Sequence, residues 1–296
     1  MIKLFYYFLQ SVLIYFFFAL GRIMGIKLSR KIFSFLFLKT GPIFRSKEII
    51  NRNLLIFKKD ISNDEINKIT SSMWKNYGMT FIEYIFLDLF RKKNSHIIIE
   101  GKDYLENIIK NKKPVIFVSG HFANYELMSM EITKKGIPLA TIYRPLNNIF
   151  LNPLMEYLRR KYICKNQIKK GLNGVREAID FIKKDMSIAL MIDQRVSEGE
   201  KINFFGKPAL TTTLPAQLSI KYNLPIIPVF IERTLETPFL RNFGTLIIFK
   251  PLKYCPVKDF FDFFNSFGVP EKVTFPPCFP ALGPISITQS ADSIVS

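Results

Sequence analysis

Residues 114–126 read PVIFVSGHFANYE, and their interpretation decides the architecture. Residues 114–119 have the length and β-branched content of a buried strand, Gly120 permits a sharp turn, and residues 125–132 open an amphipathic helical pattern. A strand–turn–helix corner of this kind presents His121. His121 and Glu126 are five positions apart, so on one regular helix at about 100° per residue they would point roughly 140° away from each other. They meet only if His121 occupies the turn and Glu126 the first helical turn, where unpaired N–H groups and the helix dipole favour a carboxylate. Glu126 would then fix the imidazole tautomer while His121 takes a proton from a substrate hydroxyl, which is base catalysis without a protein nucleophile. The plainer reading makes His121 a turn residue and Glu126 a solvated carboxylate.

Outward from this corner the pattern alternates. Strands are expected at 97–100, 138–143, 188–192, 226–231 and 246–249, with helices at 104–110, 125–135, 152–161, 174–184 and 214–222. Such alternation predicts an α/β fold with a mostly parallel central sheet and flanking helices. Residues 45–95, rich in Lys, Asn and Ile with Trp74, read as a helical link, and no internal repeat is visible. Active sites of open α/β sheets gather outside the carboxyl ends of the strands. His121 follows one strand, Arg144 the next (ATIYRP), and Asp193 a third (IALMIDQR). Taken singly, Arg144 is equally a surface residue before a turn proline, and Asp193 a loop residue. In 204–214 (FFGKPALTTTL), an apolar, bendable loop leads to Thr211, Thr212 and Thr213 ahead of Pro215 at a helix start, where hydroxyls and N–H groups face any bound anion. A capped helix without a ligand fits that segment equally well.

The chain of 296 residues carries a net charge of +18, a balance that calls for an anionic partner such as a membrane surface, a phosphorylated substrate or an acidic carrier protein. Nucleic acid is disfavoured, because the basic residues are dispersed and no recognition element is present. Residues 4–20 (LFYYFLQSVLIYFFFAL) are uncharged, the lower limit for a transmembrane helix, and residues 21–26 extend it if Arg22 snorkels. Lys3 stands alone before this run, whereas Arg22, Lys27, Arg30 and Lys31 follow it, so the positive-inside rule predicts a single span with everything downstream in the cytoplasm. A cleaved signal peptide is the competing reading, through Ala19 and Gly21; the long aromatic run and the basic residues after it oppose it. The scattered Cys164, Cys255 and Cys278 lack metal or CxxC spacing and read as thiols of a reducing compartment. The expected organisation is a transmembrane anchor over 1–26, an interfacial and helical connector over 27–96, the α/β domain over 97–255, and a tail over 256–296.

Taken together, the apolar N-terminus, GHFANYE, YRPLNN, the DQR after a strand, and FFGKPALTTTLPAQLS followed by LPIIPVFIER resemble the membrane-anchored lipid A biosynthesis acyltransferases of the lauroyl/myristoyl type over roughly residues 1–250. The HxxxxE element is similar to the HxxxxD of glycerolipid acyltransferases. The resemblance implies a glycerolipid acyltransferase-like fold and transfer of an acyl chain from acyl-acyl carrier protein to a hydroxyl of a Kdo-bearing, phosphorylated lipid A precursor. The reaction would take place at the cytoplasmic face of the inner membrane and requires no metal or organic cofactor. It implies His121 as general base and Glu126 as its orienting partner. Arg144 would bind phosphate or the developing thioester oxyanion, Asp193 would hold Arg144 or Arg195 in place, and Thr211 and Thr212 would line the substrate site. A different glycolipid or glycerophospholipid acceptor, or a non-catalytic lipid-binding copy, are the alternatives. Beyond Pro251 the chain departs from the family: residues 276–296 carry a single charged residue, Asp292, which predicts a replaced or frameshifted, poorly ordered end.

Overall fold

A computed structural model describes residues 2–92, 97–194, 196, 199–234 and 244–249. Nine α-helices are described, α1 (Ile2–Phe44), α2 (Lys47–Phe57), α3 (Asn63–Glu83), α4 (Leu87–Lys92), α5 (Lys102–Asn111), α6 (Glu126–Lys134), α7 (Asn152–Leu158), α8 (Leu172–Ile182) and α9 (Leu214–Tyr222). The strands are β1 (Ile97–Glu100), β2 (Ile116–Ser119), β3 (Leu139–Tyr143), β4 (Asn166–Lys169), β5 (Ser187–Met191), β6 (Glu200–Phe204), β7 (Lys207–Thr211), β8 (Ile226–Thr234) and β9 (Gly244–Phe249).

Seven strands form one sheet in the order β1-β9-β8-β2-β5-β3-β4, parallel throughout except between β8 and β9, while β6 and β7 form a separate hairpin. Central strands of such a sheet are covered on both faces, which is why β2 reads as an unbroken apolar run and is buried along its whole length. Its side chains alternate between two cores. Phe117 packs with Leu127, Met128 and Phe81 on one face, whereas Ile116 and Val118 pack with Ile182, Ile188 and Leu218 on the other.

Three elements depart from expectation. Strand β4 (NQIK) sits at the sheet edge, where half its residues are not fully buried, so no apolar run announces it. Segment 204–214 contributes a strand to a hairpin whose two-residue turn, Phe205 and Gly206, takes positive φ at both positions, as twisted hairpins require. The helix expected over 152–161 ends at Leu158 and gives way to a π-helical turn, Arg159–Ile163, closed by Cys164 N–H donating to the Arg159 carbonyl at 2.9 Å.

Helix α1 is broken at Gly25, whose φ of 77° and ψ of 162° are non-helical, giving two arms. Only one helix among the described residues is long and apolar enough to cross a membrane, and it is this one. The second arm crosses α3 at close range: a Cβ on Gly78 would collide with the Phe33 carbonyl oxygen, and one on Gly41 with the Trp74 indole. At the end of α3 the fully buried Glu83 accepts from Arg30 Nε at 2.7 Å, from Arg233 Nη1 at 2.7 Å and from Asn124 Nδ2 at 2.8 Å. Arg233 Nε also donates to Asn76 Oδ1 at 2.9 Å. Burial pushes the Glu83 carboxyl up, but the Arg233 and Arg30 guanidiniums outweigh burial and hold it down at about 2. Residues 256–296, the tail expected to be atypical, lie outside the described residues.

Two outcomes are expected. Glu83→Gln leaves two buried guanidiniums without their counter-charge and should cost about 3–5 kcal/mol, measured by denaturant unfolding in detergent. Because the folded carboxyl titrates below its unfolded value of about 4.3, its stabilisation is complete above that pH and is lost as pH falls toward about 2. Acid unfolding followed by circular dichroism should therefore shift upward in pH when the clasp is weakened by Arg233→Lys.

Candidate active site

Strands β2 and β5 are parallel neighbours with Ser119 opposite Met191, so the residues two positions further along, His121 and Asp193, leave the sheet at the same level. Asp193 Oδ2 accepts the His121 backbone N–H at 2.8 Å, and Oδ1 meets the ring Nδ1 at 2.8 Å. With Nδ1–H donating to the carboxylate, Nε2 carries the lone pair, and the Gln194 amide nitrogen stands 3.4 Å from it. The Tyr125 ring meets the imidazole edge-on, with centroids 4.6 Å apart. The His121 side chain is 12% exposed and that of Asp193 25%, so the pair is sheltered but reachable.

The loop carrying His121 is held from beneath. Phe122 N–H donates back to the Gly120 carbonyl at 2.8 Å, and Gly120 leaves no room for a side chain between the Phe122 ring and the Asp193 carboxylate. Ala123 takes a φ of 43°, its carbonyl accepts from Thr80 Oγ1 at 3.2 Å, and Asn124 reaches down to Glu83. The buried ion cluster and the loop that carries His121 are therefore one connected structure.

The expected His121–Glu126 dyad is corrected by this geometry. Glu126 opens α6 and turns into the helical layer, where its Oε1 accepts from Tyr84 Oη at 2.6 Å and pairs with the Arg159 guanidinium at 2.6 Å. The left-handed residue at 123 separates the two directions: His121 faces β5, whose Asp193 arrives by strand register, while Glu126 faces α7 and the π-turn. Burial works against a charge on Arg159, but Glu126 outweighs it and holds the guanidinium charged well above its usual range. Burial and the adjacent Glu126 push the Tyr84 phenol well up, so it remains a donor. Tyr84 Oη lies 3.5 Å from Tyr125 Oη, so Glu126 reaches His121 only through two tyrosines.

Asp193 holds His121, and not Arg144 as expected; Arg195 lies outside the described residues. Arg144 stands exposed after β3, close enough to Lys170 to add to the burial that lowers that ammonium's pKa. Thr211 is buried and its hydroxyl donates to the Ala209 carbonyl, while Thr212 Oγ1 accepts from Leu214 N–H at 3.3 Å, so both serve the hairpin and helix start locally. A cleft of about 670 Å³ opens where β4 ends and α8 begins, lined by Arg160, Lys169, Lys170, Gly171 and Gly174, with Glu177 also on its wall. The strand order sets His121, Asp193, Arg144 and Lys170 side by side along one edge of the sheet. Sequence reading missed Tyr84, Arg159 and the lysines: Tyr84 and Arg159 lie in helical stretches with nothing to mark them, and the lysines follow a strand that was not recognised. Among the described residues no three His, Cys, Asp or Glu side chains group to hold a metal ion.

The molecule is an α/β sheet with a histidine–carboxylate pair at its carboxyl edge and an apolar N-terminal helix. The sequence model of the family described as bacterial lipid A biosynthesis acyltransferase matches residues 2–247, and the chain belongs to that family. No curated protein matches it. Among solved structures, the 1-acyl-sn-glycerophosphate (LPA) acyltransferase PlsC from Thermotoga maritima is similar at 16% identity and a TM-score of 0.37, covering 80% of this chain and 93% of that one.

Asp193→Asn is expected to lower the rate of acyl transfer by about 10²- to 10⁴-fold with little loss of stability, because it removes the charge opposite a developing imidazolium. Glu126→Gln should instead lower the unfolding midpoint, by leaving Arg159 buried without its counter-charge. Paired rate and melting measurements on the two variants check this division.

Proposed function

We propose that the protein transfers a fatty acyl chain from acyl-acyl carrier protein to a hydroxyl of a Kdo-bearing lipid A precursor, with the catalytic domain on the cytoplasmic side of the inner membrane. The observation that carries this reading is His121, fixed through Nδ1 by Asp193 with Nε2 left to accept a proton. Membership of the lipid A acyltransferase family supports the choice of lipid acceptor.

In this reading Nε2 of His121 takes the proton of the acceptor hydroxyl as its oxygen attacks the thioester carbonyl. The new C–O bond forms, the C–S bond breaks, and the imidazolium returns its proton to the departing thiolate. Asp193 stabilises the imidazolium between these events, and no side chain becomes acylated. Neither a metal nor an organic cofactor takes part.

The basic cleft supports an acceptor that carries phosphate. At about 4.8 Å per strand, three steps from β2 to β4 put the cleft about 14 Å from His121, a span suited to a sugar headgroup that presents its hydroxyl to the base and its phosphate to Arg144, Arg160 and Lys170. The net charge of +18 suits an acidic carrier protein as donor.

The test uses membranes containing the full chain, lauroyl- and myristoyl-carrier protein, and a tetra-acylated Kdo-lipid A precursor. Product is expected with the wild type and its loss with His121→Ala. Product with His121→Ala would overturn the assignment of the base. Transfer only to a lysophospholipid in the same membranes would overturn the acceptor. Lys169→Ala with Lys170→Ala is expected to raise KM for the phosphorylated acceptor several-fold while leaving kcat within about twofold.

A further inference from the structure

In the stretch YRPLNN the exposed Arg144 is followed, four residues on, by Asn148, which is 1% exposed although Asn147 and Ile149 on either side of it are exposed. Strand β3 delivers the chain to Arg144, and the loop 144–151 returns it to α7. Both flanks of Arg144 are fixed. The Tyr143 carbonyl accepts from Lys170 N–H at 2.8 Å and its Oη donates to Glu156 Oε1 at 2.6 Å, while Leu146 N–H donates to Asn152 Oδ1 at 2.8 Å. At the far end of the loop, Asn148 Oδ1 accepts the N–H groups of Phe150 at 3.0 Å and Leu151 at 3.2 Å, an Asx-type turn that leads the chain into α7.

The other half of the same amide reaches helix α1. Nδ2 of Asn148 donates to the Tyr7 carbonyl at 2.9 Å and to Gln10 Oε1 at 3.0 Å. Ser11 Oγ, in a residue 1% exposed, shares its proton between Asn148 Oδ1 at 2.9 Å and the Tyr7 carbonyl at 2.8 Å. Beside this contact Tyr15 Oη donates to the Phe150 carbonyl at 2.6 Å, and the Phe8 and Phe150 rings meet edge-on with centroids 5.6 Å apart. A carboxamide is planar and carries its acceptor and its donors on opposite sides, so one orientation of Asn148 serves the turn and α1 together. Its donors and its acceptor are all engaged, which is the condition for burying an amide. The loop that holds Arg144 therefore has α1 as part of its support.

We propose that Asn148 is a positioning residue for acceptor binding: it ties the seat of α1 to the loop that carries Arg144, so that Arg144 meets the acceptor phosphate at full affinity only while α1 is seated. The inference rests on Arg144 as a phosphate ligand of the acceptor. It makes α1 a support of the acceptor site without setting any residue of α1 against the acceptor. By linkage, an acceptor held by Arg144 stabilises the seated helix by the same factor that seating contributes to acceptor affinity. Asn148 stands apart from the proton transfer assigned to His121, so its loss acts on KM and leaves kcat nearly as it was.

The test is acyl transfer by membranes containing the full chain, with the phosphorylated lipid A precursor varied at saturating donor. Asn148→Ser keeps a side-chain oxygen for the turn but is too short to reach α1, whereas Ser11→Ala removes the hydroxyl on the α1 side. Arg144→Ala is expected to raise KM for the acceptor about tenfold, and Asn148→Ser and Ser11→Ala about threefold each, with kcat within about twofold throughout. Asn148→Ser combined with Arg144→Ala, or with Ser11→Ala, should give a KM little above that of the more affected single variant. Ile149→Ala, at a side chain 57% exposed in the same loop, should leave KM unchanged. An unchanged KM in Asn148→Ser beside a raised KM in Arg144→Ala would overturn the positioning role alone. So would a multiplicative rise in the Asn148→Ser, Arg144→Ala double variant, or an equal rise in Ile149→Ala. Arg144→Ala without effect on KM would instead refute the phosphate reading, and the positioning role with it. If Asn148→Ser does not accumulate in the membrane, Ser11→Ala paired with Arg144→Ala gives the same comparison.

Discussion

Glu83 is the point on which the molecule depends. A carboxylate with no exposure is sustained only because two guanidiniums and an amide converge on it, and those groups come to α3 from three other parts of the chain: α1, β8 and the loop after β2. The burial of an ion triad is weak as a source of net stability and strong as a constraint, since displacing any one partner strands charge in the interior. Helix α1, the sheet and the His121 loop therefore keep a fixed relation to one another. The cluster thus ties the N-terminal helix to the loop that carries His121.

Two carboxylates compete for the description of partner to His121, and geometry separates them. Asp193 reaches the imidazole from the neighbouring parallel strand, at a level set by backbone register, and also accepts the His121 N–H, so ring and main chain are oriented together. Glu126 lies one layer deeper, bound to Arg159 and Tyr84. The arrangement puts one carboxylate beside His121 and a second, paired with Arg159, behind the tyrosine that flanks it. Arg159 opens the π-turn that follows α7, and its buried guanidinium lies in the layer that contains Glu126.

Much was legible in the sequence because the physical signals are local. The unbroken apolar run before Gly120 has the length and composition of a strand covered on both faces, the alternation after residue 97 is that of an α/β layer structure, and the uncharged aromatic stretch next to lysines and arginines is that of a helix able to enter a membrane. His121, Arg144 and Asp193 could each be placed at a strand end from these signals alone. Strand β4 and the β6/β7 hairpin escaped, since edge strands and exposed hairpins bury too few side chains to impose a period on the sequence.

Which strand ends are neighbours could not be read, because strand order is a property of the closed sheet and leaves no trace in the composition of any one strand. The order β2-β5-β3-β4 makes Asp193 the partner of His121 and lines Arg144 with Lys170. The same limit applies to α1. Hydropathy measures how much apolar surface a helix carries, and this determined that α1 is long and apolar enough to cross a membrane. Whether that surface surrounds the helix or occupies one stripe depends on what the other face touches, and only the tertiary structure supplied Ser11 bound to Asn148. The sequence by itself determined the elements and their chemistry; long-range packing decided which of them meet.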